Sequence, residues 1–287
     1  MRIIHNLDEM TETARGWLAG GSVGFVPTMG FLHVGHLSLV QAAQQECEIS
    51  VACIFVNPIQ FDAQEDLLRY PRDLERDLQL LQDINVDVVF IPRAEDIYPL
   101  HFSTYVTPIG PTMARLENLS SPIYIRGVAT VITKLFQLVR PDVAYFGQKD
   151  AQKIAIVRKL VRDLNIDVTL RILPTVREND GLALSSQNQL LSLPERQGAR
   201  ALYRALLAAK SLVEQGERRP QEVVKTMADI VNTESLLALN YAAVCRPDTF
   251  NPVDVIQPGI LLALAASIKS IRLVDNITWL ENGQWLL

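Results

Sequence analysis

"GFVPTMGFLHVGHLSLV", Gly24–Val40, reads as a strand, a turn and the start of a helix. The apolar run SVGFVP (22–27) predicts a strand, and a helix is predicted from about His36 to Glu46. The turn between them contains glycines and two of the four histidines of the chain, His33 and His36. In α/β folds, ligands bind outside the carboxyl ends of such strands. This stretch therefore predicts both a fold class and one wall of a binding site.

The flanking sequence continues the alternation of strands and helices. Apolar runs predict further strands at 49–56, 86–92, 142–147 and 167–174. Amphipathic or apolar segments predict helices at 73–84, 128–140 and 150–164. Such an alternation predicts an α/β fold with a doubly wound parallel sheet, similar to a Rossmann fold.

The pattern changes after about residue 178. Two helical stretches, 194–215 and 220–232, precede strand-like runs at 237–244, 260–267 and 271–279. This order predicts a smaller α+β domain that could close over the first. We therefore expect two domains, 1–177 and 178–287.

Composition narrows the class of protein. The 287 residues are 48% hydrophobic and 21% charged, as in ordinary soluble globular proteins. A net charge of −5 predicts no nucleic-acid partner. The apolar run Ile260–Ile268 is too short to span a bilayer, and the N-terminus lacks the apolar core of a signal peptide, so no membrane partner is expected. Three widely spaced cysteines form no metal or redox motif, which favours the reducing cytoplasm.

The histidine motif suggests phosphate chemistry. Free N–H groups at a helix start attract phosphate, and Gly35 would let a ligand approach the backbone closely. With His33 just outside the helix and His36 in its first turn, both imidazoles could donate to a phosphate whose charge grows in a transition state. The alternative is one surface histidine and one core histidine, with Gly35 as a turn. The spacing lacks the i, i+4 pair of a helical zinc motif, so these histidines are not predicted to be metal ligands.

Two more polar stretches follow predicted strands. In FVNPIQF (55–61), the amides of Asn57 and Gln60 could orient a small hydroxy acid or an amine, unless they form a simple Asn-Pro turn. In YFGQKDAQK (145–153), Lys149 could reach a phosphate, and Asp150 a ribose hydroxyl or a metal. The alternative there is a routine strand–turn–helix with Asp150 as the helix cap.

A further stretch, DGLALSSQN (180–188), lies at the predicted domain junction. Its tandem serines, Ser185 and Ser186, could bind phosphate oxygens through hydroxyl and backbone N–H groups. They could equally form a helix cap or a turn.

Taken in order, PTMGFLHVGH, FVNPIQF, YPRDLERD, FGQKD, DGLALSS and RLVDN resemble the pantothenate synthetase family, the pantoate–β-alanine ligases. The His-x-Gly-His motif alone occurs in many nucleotidyltransferases, whereas six motifs in this order are specific. The resemblance implies a ligase that uses ATP and Mg²⁺. In that reaction the pantoate carboxylate attacks the α-phosphate of ATP, and the β-alanine amine then attacks pantoyl adenylate and expels AMP. The resemblance also implies a homodimer.

The resemblance assigns roles by position. The expected catalytic residues are His36, His33 and Lys149, with Lys149 stabilising charge on the triphosphate. The residues expected at the pantoate and β-alanine positions are Gln60, Asn57 and Lys153. Val176 would contact adenine through its backbone. The residues expected to bind ATP are Met29, Gly30, Phe31, Leu32, His33, Val34, Gly35, His36, Gly147, Gln148, Lys149, Asp150, Val176, Leu184, Ser185, Ser186 and Gln187.

The chain departs from the family pattern at several positions. Gln187 stands where the family usually has an arginine, whose charged bidentate grip on phosphate a glutamine cannot copy. Ser121 and Tyr124 stand where arginine and histidine are usual. Lys153 replaces a second pantoate-contacting glutamine, and Gln148 replaces a frequent glutamate.

Two interpretations of these departures remain. In the first, the chain is a working ligase in which Lys153 or Arg126 supplies the missing cation. In the second, it is a related adenylate-forming ligase with another acid or amine substrate, or an ATP-binding relative of low activity. A nucleotidyltransferase that makes a dinucleotide is a third class of function.

Overall fold

The computed structural model describes residues 1–17, 20–110, 113, 121–269 and 271–287. All the site residues predicted above lie within these ranges. Contacts between Cα atoms divide the chain into two compact units. The first comprises Met1–Gly147 and Ile156–Leu173, and the second comprises Gln148–Ala155 and Pro174–Leu287. The predicted domain boundary at 177/178 stays a prediction.

The first unit contains a parallel sheet, which confirms the predicted fold class. Within the described residues its six strands lie in the order β1-β4-β3-β2-β5-β6. They are Arg2–Ile4 (β1), Val23–Thr28 (β2), Ile49–Ile54 (β3), Val88–Phe90 (β4), Val143–Gly147 (β5) and Thr169–Leu173 (β6). Strands β2 and β3 are almost wholly buried, as expected of strands covered on both faces.

Helices and short 3₁₀ turns connect these strands. The helices are Leu7–Trp17, Val34–Glu46, Gln64–Arg69, Leu74–Asp83, Ala94–Ile97, Pro122–Val139 and Ala151–Asp163. The 3₁₀ turns are Pro58–Gln60 and Gln148–Asp150. Strand β1 and the helix Leu7–Trp17 lie outside the predicted elements. Strand β1 has only three residues, which is too short to show a period.

The helix Pro122–Val139 starts earlier than the predicted residue 128. The Ser121 hydroxyl accepts a hydrogen bond from the Tyr124 N–H at 3.0 Å, and Pro122 takes the first helical position. By length and composition this helix could cross a membrane, but 56% of it is buried inside the protein. A core helix of a soluble protein has the same properties, and residues such as Val128 and Leu135 belong to the core.

The strand order reverses between β2 and β5. These strands are neighbours in the sheet although β3 and β4 separate them along the chain. In parallel α/β sheets, ligands bind outside the carboxyl ends of the strands at such a reversal. The histidine turn follows β2, and Gln148 follows β5. The sheet therefore places two of the predicted motifs directly after the strands that flank the reversal.

The second unit has the predicted α+β composition. Its antiparallel strands are Ala238–Cys245 (β7), Ile260–Ile268 (β8), Ile271–Trp279 (β9) and Trp285–Leu286 (β10), in the order β10-β9-β8-β7. Its helices are Leu193–Ala199, Ala201–Glu214 and Pro220–Asn232, with a 3₁₀ turn at Ser186–Leu190. The predicted helix 194–215 is thus two helices. A core of residues such as Leu206, Val223 and Leu264 joins the helices to the sheet.

Candidate active site

The turn after β2 depends on one buried acid. Gly30 and Phe31 have φ of 77° and 51°, in the left-handed region. Asp77, 1% exposed, accepts hydrogen bonds from the N–H groups of Phe31 at 2.6 Å and Leu32 at 2.7 Å. A Cβ on Gly30 would lie 3.0 Å from the Asp77 carboxylate and equally close to Ile54, so only glycine fits without a shift. Asp77 thus holds the turn that carries the two histidines.

Asp77 was not among the predicted site residues. Burial raises the pKa of the Asp77 carboxyl, and the hydrogen bonds from the Leu32 and Phe31 backbone offset part of this rise. Nothing in the pattern YPRDLERD distinguishes Asp77 from the acids beside it. Only its position in the folded chain, 46 residues from Phe31, shows its role.

The two histidines lie together at the start of the helix Val34–Glu46. His33 is the N-cap residue, and its ring stacks on that of His36 with centroids 4.0 Å apart and planes at 25°. The His33 backbone N–H donates to Nδ1 of His36 at 3.3 Å. Because Nδ1 accepts this bond, the proton of a neutral His36 lies on Nε2, which is then a donor.

The other members of the histidine turn include one buried residue, Leu32. Leu32 is 2% exposed; its N–H bonds to Asp77 and its carbonyl accepts from Arg76 at 3.0 Å. It therefore supports the turn, and its contact with ATP stays a prediction. The predicted residues Met29, Gly30, Phe31, Val34 and Gly35 lie on the same turn and the first helical positions.

Asn57 holds Gln60 in place. Its Nδ2 donates to the Gln60 Oε1 at 3.2 Å and to the Gly127 carbonyl at 3.0 Å, and its Oδ1 accepts from the Tyr98 hydroxyl at 2.7 Å. Asn57 is 1% exposed, so both of its amide hydrogens are used inside the protein. Gln60 in turn places its Nε2 3.1 Å from the Met29 sulfur. The pair is thus more than an Asn-Pro turn, and Tyr98 belongs to its support although the sequence did not indicate it.

Gly127 is expected to be intolerant of a side chain. A Cβ at this position would lie 2.5 Å from the Cα of Gln60 and 2.6 Å from the Ile59 carbonyl oxygen. We expect Gly127→Ala to destabilise the fold by about 1–3 kcal/mol through overpacking. Thermal unfolding measures this, with Gly16→Ala as the control, because a Cβ there meets nothing within 4 Å. Equal melting temperatures for the two variants would contradict the expectation.

The turn Gln148–Asp150 is held by strand β9 of its own unit. Gln148, 5% exposed, donates through Nε2 to the Oδ1 of Asn276 at 2.7 Å and to the Thr278 hydroxyl. Asn276 donates through Nδ2 to the Gln148 carbonyl at 3.1 Å and the Lys149 carbonyl at 2.9 Å. A glutamate at position 148 could not donate these bonds, which gives the departure from the family a local role.

Lys149 and Asp150 occupy this turn. Burial lowers the pKa of the Lys149 ammonium, and the carboxylates of Asp150 and Asp275 offset part of this fall. The Asp275 carboxylate itself makes a bidentate ion pair with Arg177, at 2.7 and 2.9 Å. The Arg177 guanidinium lies over the ring of Tyr203, 3.8 Å from its centroid. The motif RLVDN thus contributes Asp275 and Asn276 to the surroundings of Lys149, a role that the sequence did not indicate.

The tandem serines begin a 3₁₀ turn. Ser185 is the cap residue of Ser186–Leu190, and its hydroxyl accepts from the Gln187 N–H at 3.3 Å. The predicted alternative, a cap, therefore describes the local structure, while the Ser185 O–H proton is left to donate elsewhere. Gln187 is exposed, and the Leu184 N–H donates to the Val176 carbonyl at 3.0 Å. Contacts of these residues with phosphate or adenine stay predictions.

The remaining departures have separate local settings. Ser121 is a helix cap, as described above. Arg126 is exposed and its guanidinium lies over the ring of Tyr105, 4.8 Å from the centroid. Lys153 is half-buried in the first turn of the helix Ala151–Asp163. Among the described residues, no three or more His, Cys, Asp or Glu side chains are grouped so as to hold a metal ion.

Comparisons with known proteins cover nearly the whole chain. A family profile described as pantoate–β-alanine ligase matches residues 2–278. A protein named pantothenate synthetase from Thermosipho africanus (strain TCF52B) is 48% identical over 279 residues, which cover 96% of this chain and 99% of the relative. One of the same name from Chloroflexus aggregans (strain MD-66 / DSM 9485) is 48% identical, with coverage of 98% and 99%.

Solved structures show the same fold. The crystal structure of pantothenate synthetase from Thermus thermophilus has a TM-score of 0.91 and 43% identity, and covers 98% of this chain and 100% of that chain. The pantoate–β-alanine ligase from Francisella tularensis, complexed with β,γ-ATP and β-alanine, has a TM-score of 0.78 and 31% identity. It covers 96% of this chain and 97% of that chain.

Proposed function

Because this chain belongs to the pantoate–β-alanine ligase family, we propose that it condenses pantoate with β-alanine at the expense of ATP, by way of pantoyl adenylate. The Francisella relative, which was crystallised with an ATP compound and β-alanine, supports two of the three substrates. The observation that carries the proposal is the stacked pair His33–His36 at a helix start, directly after a strand at the reversal of the sheet.

The first step needs charge stabilisation. A carboxylate oxygen of pantoate attacks the α-phosphorus; the new O–P bond forms while the bond to pyrophosphate breaks, and pyrophosphate leaves. Negative charge grows on the phosphate oxygens, so donors aimed at them lower the barrier. His36 would donate through Nε2–H, with His33 beside it, and the Lys149 ammonium would stabilise charge on the triphosphate. No side chain has to act as a nucleophile.

The second step needs orientation. The neutral amine of β-alanine attacks the acyl carbon of the adenylate, the bond to the AMP oxygen breaks, and the amine loses a proton to solvent. When the enzyme holds the two substrates in the reactive orientation, their loss of translational and rotational entropy occurs on binding and no longer adds to the barrier of the chemical step. Gln60, fixed by Asn57, would lie between the acid and the amine. Lys153, in place of the usual glutamine, would offer a cation to a carboxylate.

Mg²⁺ would enter with ATP. This ion is usually held by substrate phosphates and one or two carboxylates, and it neutralises charge on the triphosphate. The exposed carboxylate of Asp150, in the turn Gln148–Asp150, could supply a protein ligand, and the phosphates the others. The remaining ATP contacts are those that the resemblance assigns.

The cellular setting follows the same proposal. A cytoplasmic enzyme without a nucleic-acid or membrane partner agrees with the net charge of −5 and the mostly buried helix Pro122–Val139. The homodimer follows from the resemblance alone. Light scattering coupled to size exclusion would measure the mass against 32.1 kDa for one chain.

The direct test is product formation. With ATP, pantoate and β-alanine, the protein should release AMP, pyrophosphate and pantothenate, and ATP alone should raise its melting temperature. Stabilisation by ATP without AMP release at saturating substrates would instead support an ATP-binding relative. AMP release with another acid or amine would support a changed substrate, and pyrophosphate release without AMP a dinucleotide-forming transferase.

A substitution at position 187 tests whether another group makes up for the arginine that the family usually has there. Gln187→Arg should raise the rate of adenylate formation, because it restores a charged bidentate donor next to the tandem serines. Single-turnover formation of pantoyl adenylate is the measurement, and Gln189→Arg, which adds the same charge at another exposed position of the turn, is the control. An unchanged or lower rate would mean that another group already supplies the cation.

A further inference from the structure

We propose that Asn276 is a positioning residue for Lys149 and acts through the backbone of the turn that carries this lysine. The inference rests on the proposed function, in which the Lys149 ammonium stabilises charge on the triphosphate. Asn276 lies in β9, 2% exposed, and is separated from Lys149 by 127 residues along the chain. Both residues belong to the same compact unit.

The side chain of Asn276 uses all of its hydrogen-bonding groups on two consecutive residues. Its Nδ2 donates to the Gln148 carbonyl at 3.1 Å and to the Lys149 carbonyl at 2.9 Å. Its Oδ1 accepts from the Nε2 of Gln148 at 2.7 Å. A side-chain amide offers two donors and one acceptor oxygen, so a single residue fixes this turn from three directions.

The two carbonyls are those on either side of the Lys149 Cα. The Gln148 carbonyl lies in the peptide plane that precedes this Cα, and the Lys149 carbonyl in the plane that follows it. Because peptide units are planar, holding both carbonyls fixes φ and ψ of Lys149 and hence the direction of its Cα–Cβ bond. Asn276 therefore sets where the lysine side chain starts, and it does so through the backbone.

A buried ion pair anchors the strand that contains Asn276. The preceding residue, Asp275, is 3% exposed and forms the bidentate pair with Arg177. The Asp275 carboxylate also accepts from the Asn276 backbone N–H at 2.8 Å. Its charge offsets part of the fall that burial causes in the pKa of Lys149. Asn276 thus fixes the direction of the Lys149 side chain, and the neighbouring Asp275 favours its charged form.

Thr278 provides a matched control on the same strand. It lies two residues further, so its side chain lies on the same face as that of Asn276. Its hydroxyl accepts from the Gln148 Nε2, whereas the bonds to the two carbonyls come from Asn276. Thr278→Val keeps the shape and removes the bond from the Gln148 Nε2. Asn276→Ala removes the two backbone bonds, and Asn276→Asp also places a carboxylate against both carbonyl oxygens.

The experiment measures kcat for AMP release and KM for ATP in the full-length variants. Asn276→Ala and Asn276→Asp should lower kcat by about 100-fold, as a displaced catalytic group does, with a smaller rise in KM. Thr278→Val should stay within about threefold of the wild type, since the bonds to both carbonyls remain. Asn276→Ala adds no charge and carries the test if Asn276→Asp does not fold.

A double-mutant cycle with Lys149→Met separates positioning from general stability. If Asn276 acts through Lys149, Asn276→Ala should lower kcat little further once the ammonium is gone. Multiplicative losses, or equal losses in Asn276→Ala and Thr278→Val, would overturn the role of Asn276 and leave the proposed function intact. A wild-type protein that releases no AMP would overturn the proposed function itself, and the inference with it.

Discussion

His36→Ala is expected to lower the rate of adenylate formation by about 100- to 1,000-fold, the usual cost of one lost donor to transition-state charge. In the native protein, Nδ1 of His36 accepts from the His33 backbone, so the proton of a neutral His36 lies on Nε2, the nitrogen that we propose donates to the reacting phosphate. The stacked ring of His33 holds the orientation, with centroids 4.0 Å apart. Single-turnover formation of pantoyl adenylate is the measurement that reports this step alone.

The control for His36→Ala is another histidine that is exposed. His101 has a φ of 67°, a conformation that asparagine tolerates, so His101→Asn removes an imidazole without backbone strain. This variant should form adenylate at the wild-type rate. Near-normal adenylate formation in a folded His36→Ala variant would remove His36 from the mechanism.

Lys149→Met is expected to lower kcat by about 100-fold or more, because methionine approximates the length of lysine but carries no charge to place on the triphosphate. Steady-state release of AMP measures this effect. Lys225→Met is the control, since Lys225 is exposed on the helix Pro220–Asn232. Similar rates in the two variants would show that the Lys149 ammonium does not take part.

The pH profile provides a second test of Lys149. Burial lowers the pKa of its ammonium from the ordinary value of 10.5, so the charge is lost at a lower pH than in an exposed lysine. The wild-type kcat/KM for ATP should therefore fall as pH rises through this lowered pKa. Lys149→Arg, which stays charged, should not show that fall even if its rate is lower throughout. The same alkaline fall in both proteins would assign it to another group.

Much of the fold followed from local pattern. The strand 271–279 was predicted with the bounds that the structure shows, and continuous apolar runs located β2 and β3, since strands covered on both faces are apolar throughout. Other elements were missed, or their first residue was misjudged. Strand β1 has three residues, and the helix Pro122–Val139 begins with a serine cap that hydrophobic periodicity does not show.

Of the candidate site, too, only the parts that are close together in the sequence could be predicted. His33 and His36 are three residues apart, so the start of one helix is enough to bring their rings together. The residues that support the site lie far away in sequence. Asp77 is 46 residues from Phe31, and Tyr98 is 41 residues from Asn57. No period or spacing links such pairs, because hydrogen bonds between distant segments exist only after the sheet has been assembled.

The sequence by itself determined the parallel α/β sheet, the smaller α+β part, the family and the short motifs, since each of these depends on residues close together in the chain or on motif order. Only the tertiary structure decided what holds those motifs. It brought the Asp77 carboxylate to the histidine turn and Asn276 to the backbone of Lys149. The physical reason is that a buried polar group needs hydrogen-bond partners, and the fold can bring these partners from distant parts of the chain, which the residues next to the group do not specify.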